Sequence, residues 1–245
     1  MKRKGHSPKA KTYTALFHAC SACNDKTMAL EKSHAVRNSF DKDKAAGFLN
    51  DASFQVYSAM IKAFGSCGDV QTAFNIMDEV HELYSSPNIS CFNALLHACI
   101  EQGKDNGLEL ALDVWKKMLD MAVKPDLKTV ELLLRLTRDF NFSHRKVEQL
   151  TTKNHTLPVT TERDSSVLSV FGGVEGILKI CEQVKDKPSV KTLTLLIQQC
   201  PAQDELVIFR YAKELNIKID TALFNCLISK LNRQKRHDEA KQVSV

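Results

Sequence analysis

Apolar and polar positions along the chain follow a helical rhythm, and one phrase of that rhythm returns at a spacing of about 35 residues. The phrase is an aromatic or large apolar residue, a variable and mostly polar residue, then three mainly apolar ones. It reads Tyr13-Thr14-Ala15-Leu16-Phe17, Tyr57-Ser58-Ala59-Met60-Ile61 and Phe92-Asn93-Ala94-Leu95-Leu96. A weaker copy, Val130-Glu131-Leu132-Leu133-Leu134, precedes two further ones at Leu193-Thr194-Leu195-Leu196-Ile197 and Phe224-Asn225-Cys226-Leu227-Ile228. Downstream of the first three copies lies a second amphipathic stretch: Ala29, Leu30, Ser33 and Val36, then Ala73, Phe74, Met77 and Val80, then Ala111, Leu112, Trp115 and Met118. Spacings of three and four place such residues on one helical face. Gly65 and Gly68, or Gly103 and Gly107, fall between the two stretches and suit a tight helix–helix turn. Pro8, Pro87 and Pro125 stand just before the next copy opens, where a helix cannot continue. No period-2 alternation is sustained, and Asn106-Gly107 joins two helical stretches rather than two strands. The pattern predicts an all-α array of helical hairpins. Such an array buries its core between neighbours and leaves one long face free for a ligand.

Composition changes this picture little. At 245 residues, 43% hydrophobic and 26% charged, the chain can bury a continuous core. No apolar run approaches the length of a membrane span. The net charge of +5 is mild, and the basic residues are mostly dispersed apart from the run from Lys2 to Lys11. That run reads either as a solvated helix end or as a phosphate contact. From Thr151 to Ser166 the chain is polar and reads as a flexible linker, after which Val174, Ile177, Leu178, Cys181 and Val184 resume a helical period. Eight cysteines invite a metal site, and Cys20-Ser21-Ala22-Cys23 beside His18 has a superficially suitable spacing. The repeat register argues against it: Cys20, Cys99 and Cys200 all take an eleventh position that Phe64 and Leu231 fill elsewhere, so these cysteines read as small buried hydrophobes. Scattered, unpaired thiols suit a reducing compartment. There is no Gly-rich phosphate loop, nucleophile elbow or His-Glu zinc motif, and the chain reads as non-catalytic, with no cofactor.

The Ile89-x-x-Phe92-Asn93-Ala94-Leu95-Leu96 order, the Ala-Leu second helix and the closing Lys124-Pro125-Asp126 resemble the pentatricopeptide repeat. Met1-Lys2-Arg3-Lys4-Gly5, the stretch from Thr12 to Phe17, and Gly172-Gly173-Val174-Glu175-Gly176 leading to the stretch from Lys191 to Leu196 resemble animal mitochondrial members of that family. The resemblance implies a right-handed superhelical solenoid with repeats opening at Ala10, Phe54, Ile89, Leu127, Val190 and Thr221. Its expected organisation is the tail of a preceding repeat at 1–9, repeats at 10–53, 54–88 and 89–126, and a degenerate repeat at 127–150. A linker at 151–173, an orphan helix at 174–189, a repeat at 190–220 and a partial one at 221–245 complete it. The first repeat is lengthened by a polar Asp41-Lys42-Asp43-Lys44 insertion. Both ends read as cut, with Met1 to Pro8 resembling the end of a second helix and His237-Asp238-Glu239-Ala240 opening another.

Pentatricopeptide arrays bind single-stranded RNA with about one base per repeat, read by a few side chains. The resemblance assigns that task to the fifth and last residues of a repeat, which here pair Ser58 with Asn88, Asn93 with Asp126, and Thr194 with Asp220. Thr14 and Asn225 are further fifth residues. The family's pairings imply A, U and G for the three pairs in that order. The same residue types also cap helices, so Ser58, Asn88, Asp126 and Asp220 carry a structural reading beside the functional one. The family favours an apolar second residue, whereas Gln55, Ser90, Lys128 and Lys191 stand there, and Glu131 takes a fifth position. His237-Asp238-Glu239 fits half of the deaminase signature that some plant members carry, but no cysteine pair follows. The resemblance implies a mitochondrial-matrix RNA-binding protein acting in tRNA metabolism. Its expected tasks are setting leucine tRNA levels, tRNA 3′-end processing and large-ribosomal RNA maturation. Its partners would be single-stranded RNA or tRNA, RNA-processing nucleases and ribosomal factors. The alternative is a helical scaffold that binds protein in ribosome assembly or RNA processing.

Overall fold

Every regular element among the described residues of the computed structural model is a helix; those residues are 8–49, 53–84, 88–103, 106–139, 168, 172–184 and 187–243. They divide into two compact units, Met1–Pro125 and Asp126–Val245. The first holds α1 (Ala10–Ser21), α2 (Lys26–Ala45), α3 (Phe54–Ser66), α4 (Val70–Tyr84), α5 (Ile89–Glu101) and α6 (Gly107–Asp120). The second holds α7 (Leu127–Asp139), α8 (Gly173–Gln183), α9 (Val190–Gln199), α10 (Asp204–Glu214), α11 (Thr221–Arg233) and α12 (His237–Val243). No helix among the described residues is long and apolar enough to cross a membrane.

In the first unit each repeated phrase becomes the first helix of a hairpin, and these first helices lie side by side. The middle one, α3, packs on α1 before it, on α5 after it and on its own partner α4. Burial of Tyr13, Phe17, Tyr57, Phe64, Phe92 and Leu96 supplies the apolar core of this layer. The hairpin turns are built by their sequences. Gly68 sits at φ +91, and the next amide, Asp69 N–H, reaches back to the Phe64 carbonyl at 3.0 Å, which closes α3 in a Schellman-type cap. The Asp69 carboxylate then accepts from Thr72 N–H at 3.1 Å and opens α4. Gly65 and Gly107, expected in turns, lie inside α3 and at the first position of α6. A Cβ at Gly65 would stand 2.2 Å from the Ala98 Cβ, so this glycine lets α3 and α5 approach closely.

The polar insertion Asp41-Lys42-Asp43-Lys44 forms the last turn of α2. It continues the helix far enough for Phe40 to bury between Tyr13 and Tyr57, at ring separations of 5.3 and 5.9 Å with both pairs edge-on. Asp43 is buried there and accepts a 2.5 Å hydrogen bond from the Tyr13 hydroxyl. Burial and the Asp43 carboxylate together raise the Tyr13 pKa well above the ordinary tyrosine range. Arg37 and Lys44 of α2 both pair with Glu79 of α4, tying neighbouring second helices together.

In the second unit α7 packs with α8 and α9, α9 with α10 and α11, and α11 with α12. The division into units falls ahead of α7. Of the expected linker, all but Leu168 and residues 172–173 lies outside the described residues, as do residues 140–150 of the degenerate repeat. The α10–α12 junction is held by Arg236, which pairs with the fully buried Glu205 and, at 2.7 Å through Nε, with Glu239. Lys230 of α11 closes the C-terminus of α9 by donating to the Ile197 carbonyl at 2.7 Å and bonding the Cys200 carbonyl.

Candidate nucleic-acid interface

Positions are counted from the residue that opens each first helix. The eleventh position is buried in all six: Cys20, Phe64, Cys99, Thr137, Cys200 and Leu231. The second position is exposed in all six: Lys11, Gln55, Ser90, Lys128, Lys191 and Ala222. The fifth lies on the same side as the second, three residues on. Within the first unit the fifth residues are Thr14, Ser58 and Asn93, all half-buried. Within the second they are Glu131 and Thr194, half-buried, and Asn225, exposed. Because successive first helices pack side by side, each unit presents its fifth residues as a row beside a solvated edge of second residues.

Six of the eight predicted reading residues make local hydrogen bonds. Thr14 donates to the Ala10 carbonyl at 3.1 Å, Ser58 to Gln55 at 3.1 Å and Thr194 to Val190 at 2.8 Å, all back into their own helices. Asn88 caps α5 by accepting from Ser90 N–H at 2.9 Å, and Asp220 caps α11 by accepting from Leu223 N–H at 2.8 Å. Asp126 caps α7 more elaborately. Its Oδ1 accepts from the Thr129 amide at 2.8 Å and hydroxyl at 2.9 Å, while the Thr129 hydroxyl accepts the Asp126 amide at 3.1 Å. The cap role of these three is thus present in the structure. Ser58 and Asn88 belong to adjacent first helices of one unit, and Thr194 and Asp220 to adjacent first helices of the other. Asn93 belongs to the first unit and Asp126 to the second.

In the second unit charge is sorted by layer. The first helices of the second unit carry Lys128, Arg135, Arg138, Lys191, Lys230 and Arg233 against Glu131 and Asp139. Its second helices carry Glu175, Glu182, Asp204, Glu205, Glu214, Asp238 and Glu239 against Lys179, Arg210, Lys213 and Lys241. In the first unit the first helices hold Lys11 and Lys62 against Glu101, and the second helices differ among themselves: α4 is purely acidic at Asp78, Glu79 and Glu82, while α2 carries five basic residues against Glu31, Asp41 and Asp43. In the second unit a basic layer backed by an acidic one favours a polyanion on the first-helix side. The signal was available in the sequence by counting charge within helices of one register.

The sequence profile described as the pentacotripeptide-repeat region of PRORP matches residues 1–164, more than half of the chain. The chain belongs to the pentatricopeptide repeat family. Mouse mitochondrial pentatricopeptide repeat-containing protein 1 is 30% identical over 139 residues, covering 57% of this chain and 19% of that protein. A mitochondrial pentatricopeptide repeat-containing protein of Arabidopsis thaliana is 25% identical over 267 residues, covering 99% of this chain and 34% of its own length. The chain thus spans a minor part of each. Among solved structures, that of the maize pentatricopeptide repeat protein PPR10 superposes with a TM-score of 0.46 at 18% identity, covering 99% of this chain and 34% of that one.

Two features of this pentatricopeptide chain bear on ligands. A groove of about 620 Å³ opens beside Asn225, lined also by Gln198, Ser229, Lys230 and Arg233, with no acidic side chain. It brings a fifth residue and a guanidinium to the lining of one groove. The thiols are structural: Cys20, Cys99 and Cys200 are buried, and burial pushes Cys99 up to about 12 and Cys200 up to about 11, the latter opposed by Lys230. Among the described residues no group of three or more His, Cys, Asp or Glu side chains is arranged to hold a metal.

Proposed function

We propose that this chain is a non-catalytic RNA-binding segment that receives single-stranded RNA, or single-stranded parts of tRNA, along its first-helix layer. The observation that carries the reading is the sorting of basic residues onto that layer in the second unit, beside a row of polar fifth residues. Phosphates meet the lysines and arginines, and base edges meet short hydroxyl and amide groups. Ser58 with Asn88, Asn93 with Asp126, and Thr194 with Asp220 are the base-reading residues in this proposal, with Thr14 and Asn225 as further fifth residues. At Asn88 and Asp220 a cap and a reader are compatible roles, because each cap is made by one oxygen of the side chain. The mouse relative's name places it in mitochondria. That name supports a mitochondrial location for this chain; as the resemblance implies, the proposal extends to the matrix, to tRNA metabolism and 3′-end processing, and to leucine tRNAs and large-ribosomal RNA as targets. Processing nucleases and ribosomal factors are its proposed protein partners. The near-uncharged first helices of the first unit favour a second task for that unit, as a protein-binding scaffold.

Ultraviolet crosslinking in intact mitochondria, followed by sequencing of the attached RNA, tests the proposal. Enrichment of tRNA or tRNA-precursor fragments over total mitochondrial RNA is the expected outcome. Recovery of no RNA above background, with protein crosslinks instead, overturns it in favour of the scaffold.

A further inference from the structure

The turn that ends α1 carries a cysteine that packing does not explain. Counted from the residue that opens each first helix, the fourteenth position holds glutamine in three repeats, Gln102, Gln203 and Gln234, none of them buried. In the first two repeats it holds Cys23 and Cys67, both half-buried. Cys20, by contrast, fills the buried eleventh position of α1. The chain brings Cys20 and Cys23 together, because the Cys23 amide donates to the Cys20 carbonyl at 3.2 Å. A turn closed in this way keeps its end Cα atoms within about 7 Å, and a disulfide spans about 4.4–6.8 Å. Both cysteines line one groove of about 290 Å³ between α1 and α2, beside Leu16, Met28 and Lys32. Their side chains therefore leave the turn on the same side. Cys67, the C-cap of α3, stands close to both. Burial first, and then Cys20 and Cys23, raise its thiol, against a hydrogen bond with Ser33 and the Lys26 ammonium.

We propose that Cys20 and Cys23 form a redox modification site, a dithiol that a hydroperoxide closes to a disulfide across the first hairpin turn. The Cys23 thiolate attacks the O–O bond of hydrogen peroxide. An S–O bond forms, the O–O bond breaks, and the departing oxygen takes up a proton to leave as water. The Cys20 sulfur then attacks the Cys23 sulfenic acid. The S–S bond forms, the S–O bond breaks, and the hydroxide leaves with the Cys20 proton as a second water. Two thiols have lost two electrons, and one peroxide has become two waters. Cys20 needs no opening to solvent, because its oxidant is the neighbouring side chain. The buried Cys91, Cys99, Cys181 and Cys200 are poor competitors, since burial raises each thiol, Cys99 to about 12, and leaves little thiolate to react. The disulfide would tie the end of α1 to the entry of α2. In a reducing compartment such a bond is transient and redox-sensing rather than a permanent staple.

The test is graded hydrogen peroxide on the fully reduced full chain, quenched by alkylation in denaturant and read by tryptic mass spectrometry without reductant. Cys20 and Cys23 fall in one tryptic peptide, residues 12–26. That peptide is expected to lose two hydrogens and to escape alkylation at both thiols, at doses that leave Cys91, Cys99, Cys181 and Cys200 alkylated. Dithiothreitol should restore both thiols. Cys20→Ala, which keeps a small apolar side chain in the core, should stop the reaction at a Cys23 sulfenic acid that dimedone traps. Cys67→Ser should still form the bond. Melting curves matching wild type would show that both variants keep the fold. A Cys23–Cys67 cross-link in place of the bond within the peptide overturns the proposal, as does loss of the bond in Cys67→Ser. Oxidation of the buried thiols at the same dose as Cys20 and Cys23 overturns it equally.

Discussion

At the scale of single residues, the question is whether a side chain that caps a helix can also read a base. Asp220 offers the cleanest separation because its cap bond to Leu223 N–H, 2.8 Å long, is made by Oδ1 of an otherwise exposed side chain. Asparagine keeps an oxygen for that bond and replaces the other oxygen by an amide donor. Asp220→Asn is therefore expected to melt as wild type does while shifting the base opposite Thr194 from guanine toward adenine, the pairing implied for Ser58 with Asn88. Asp220→Ala removes the cap and should cost about 1 kcal/mol of stability. Melting curves run beside titrations with single-nucleotide RNA variants read both effects. A stability loss in the alanine variant, with base preference unmoved in both, would leave Asp220 as a cap alone.

At the scale of elements, the contact that sets repeat spacing in the first unit is the meeting of α3 and α5 at Gly65 and Ala98. A methyl group added at Gly65 would lie 2.2 Å from the Ala98 Cβ and 2.9 Å from its Cα, far inside van der Waals contact. The gain in helix propensity from Gly to Ala, about 1 kcal/mol, is smaller than the overpacking it forces, about 1–3 kcal/mol or more. Gly65→Ala is expected to lower the melting temperature, and Ala98→Gly in the same chain to restore part of it. A single variant that melts at or above wild type would show that the two helices separate freely. This contact also marks what the sequence could convey. The first helices, their buried eleventh positions and the solvent-facing side of their second and fifth residues follow from periodicity, which is a local property. Gly65 read as a turn glycine because its reason for being small is a residue in the next repeat. Asp41 to Lys44 read only as a polar insertion, and the burial of Asp43 was not legible because its partner is Tyr13, 30 residues away in the chain. The fifth residues were legible as candidates, whereas the ion pair of Glu131 with Lys191 depends on the packing of α7 against α9.

At the scale of the whole chain, two bulk properties separate the readings. The buried thiols make stability fall in alkali. Burial raises Cys91 and Cys99 from the ordinary thiol value of 9.0 to about 12, and Cys181 and Cys200 to about 11. A group whose folded value is raised contributes stability that is complete below its unfolded pKa and is lost as pH climbs toward the folded one. Melting temperature should therefore hold up to about pH 9 and decline from there to about pH 12, and a flat profile across that range would mean these thiols are solvated. The second property is the layered charge. Each phosphate neutralised on single-stranded RNA adds about 0.7 to the slope of log affinity against log salt. Replacing Arg135, Lys191 and Arg233 by Ala should flatten that slope by up to about 2. The same number of charges removed from second helices, at Lys179, Lys213 and Lys241, lowers net charge equally but should leave the slope nearly unchanged. Lys11 and Lys62, alone on the first helices of the first unit, should account for about 1. Salt titrations of the three variants against one RNA decide the matter. Equal flattening by the first-helix and second-helix triples would mean that net charge, not the basic layer, attracts the RNA, and the proposed binding face would be wrong.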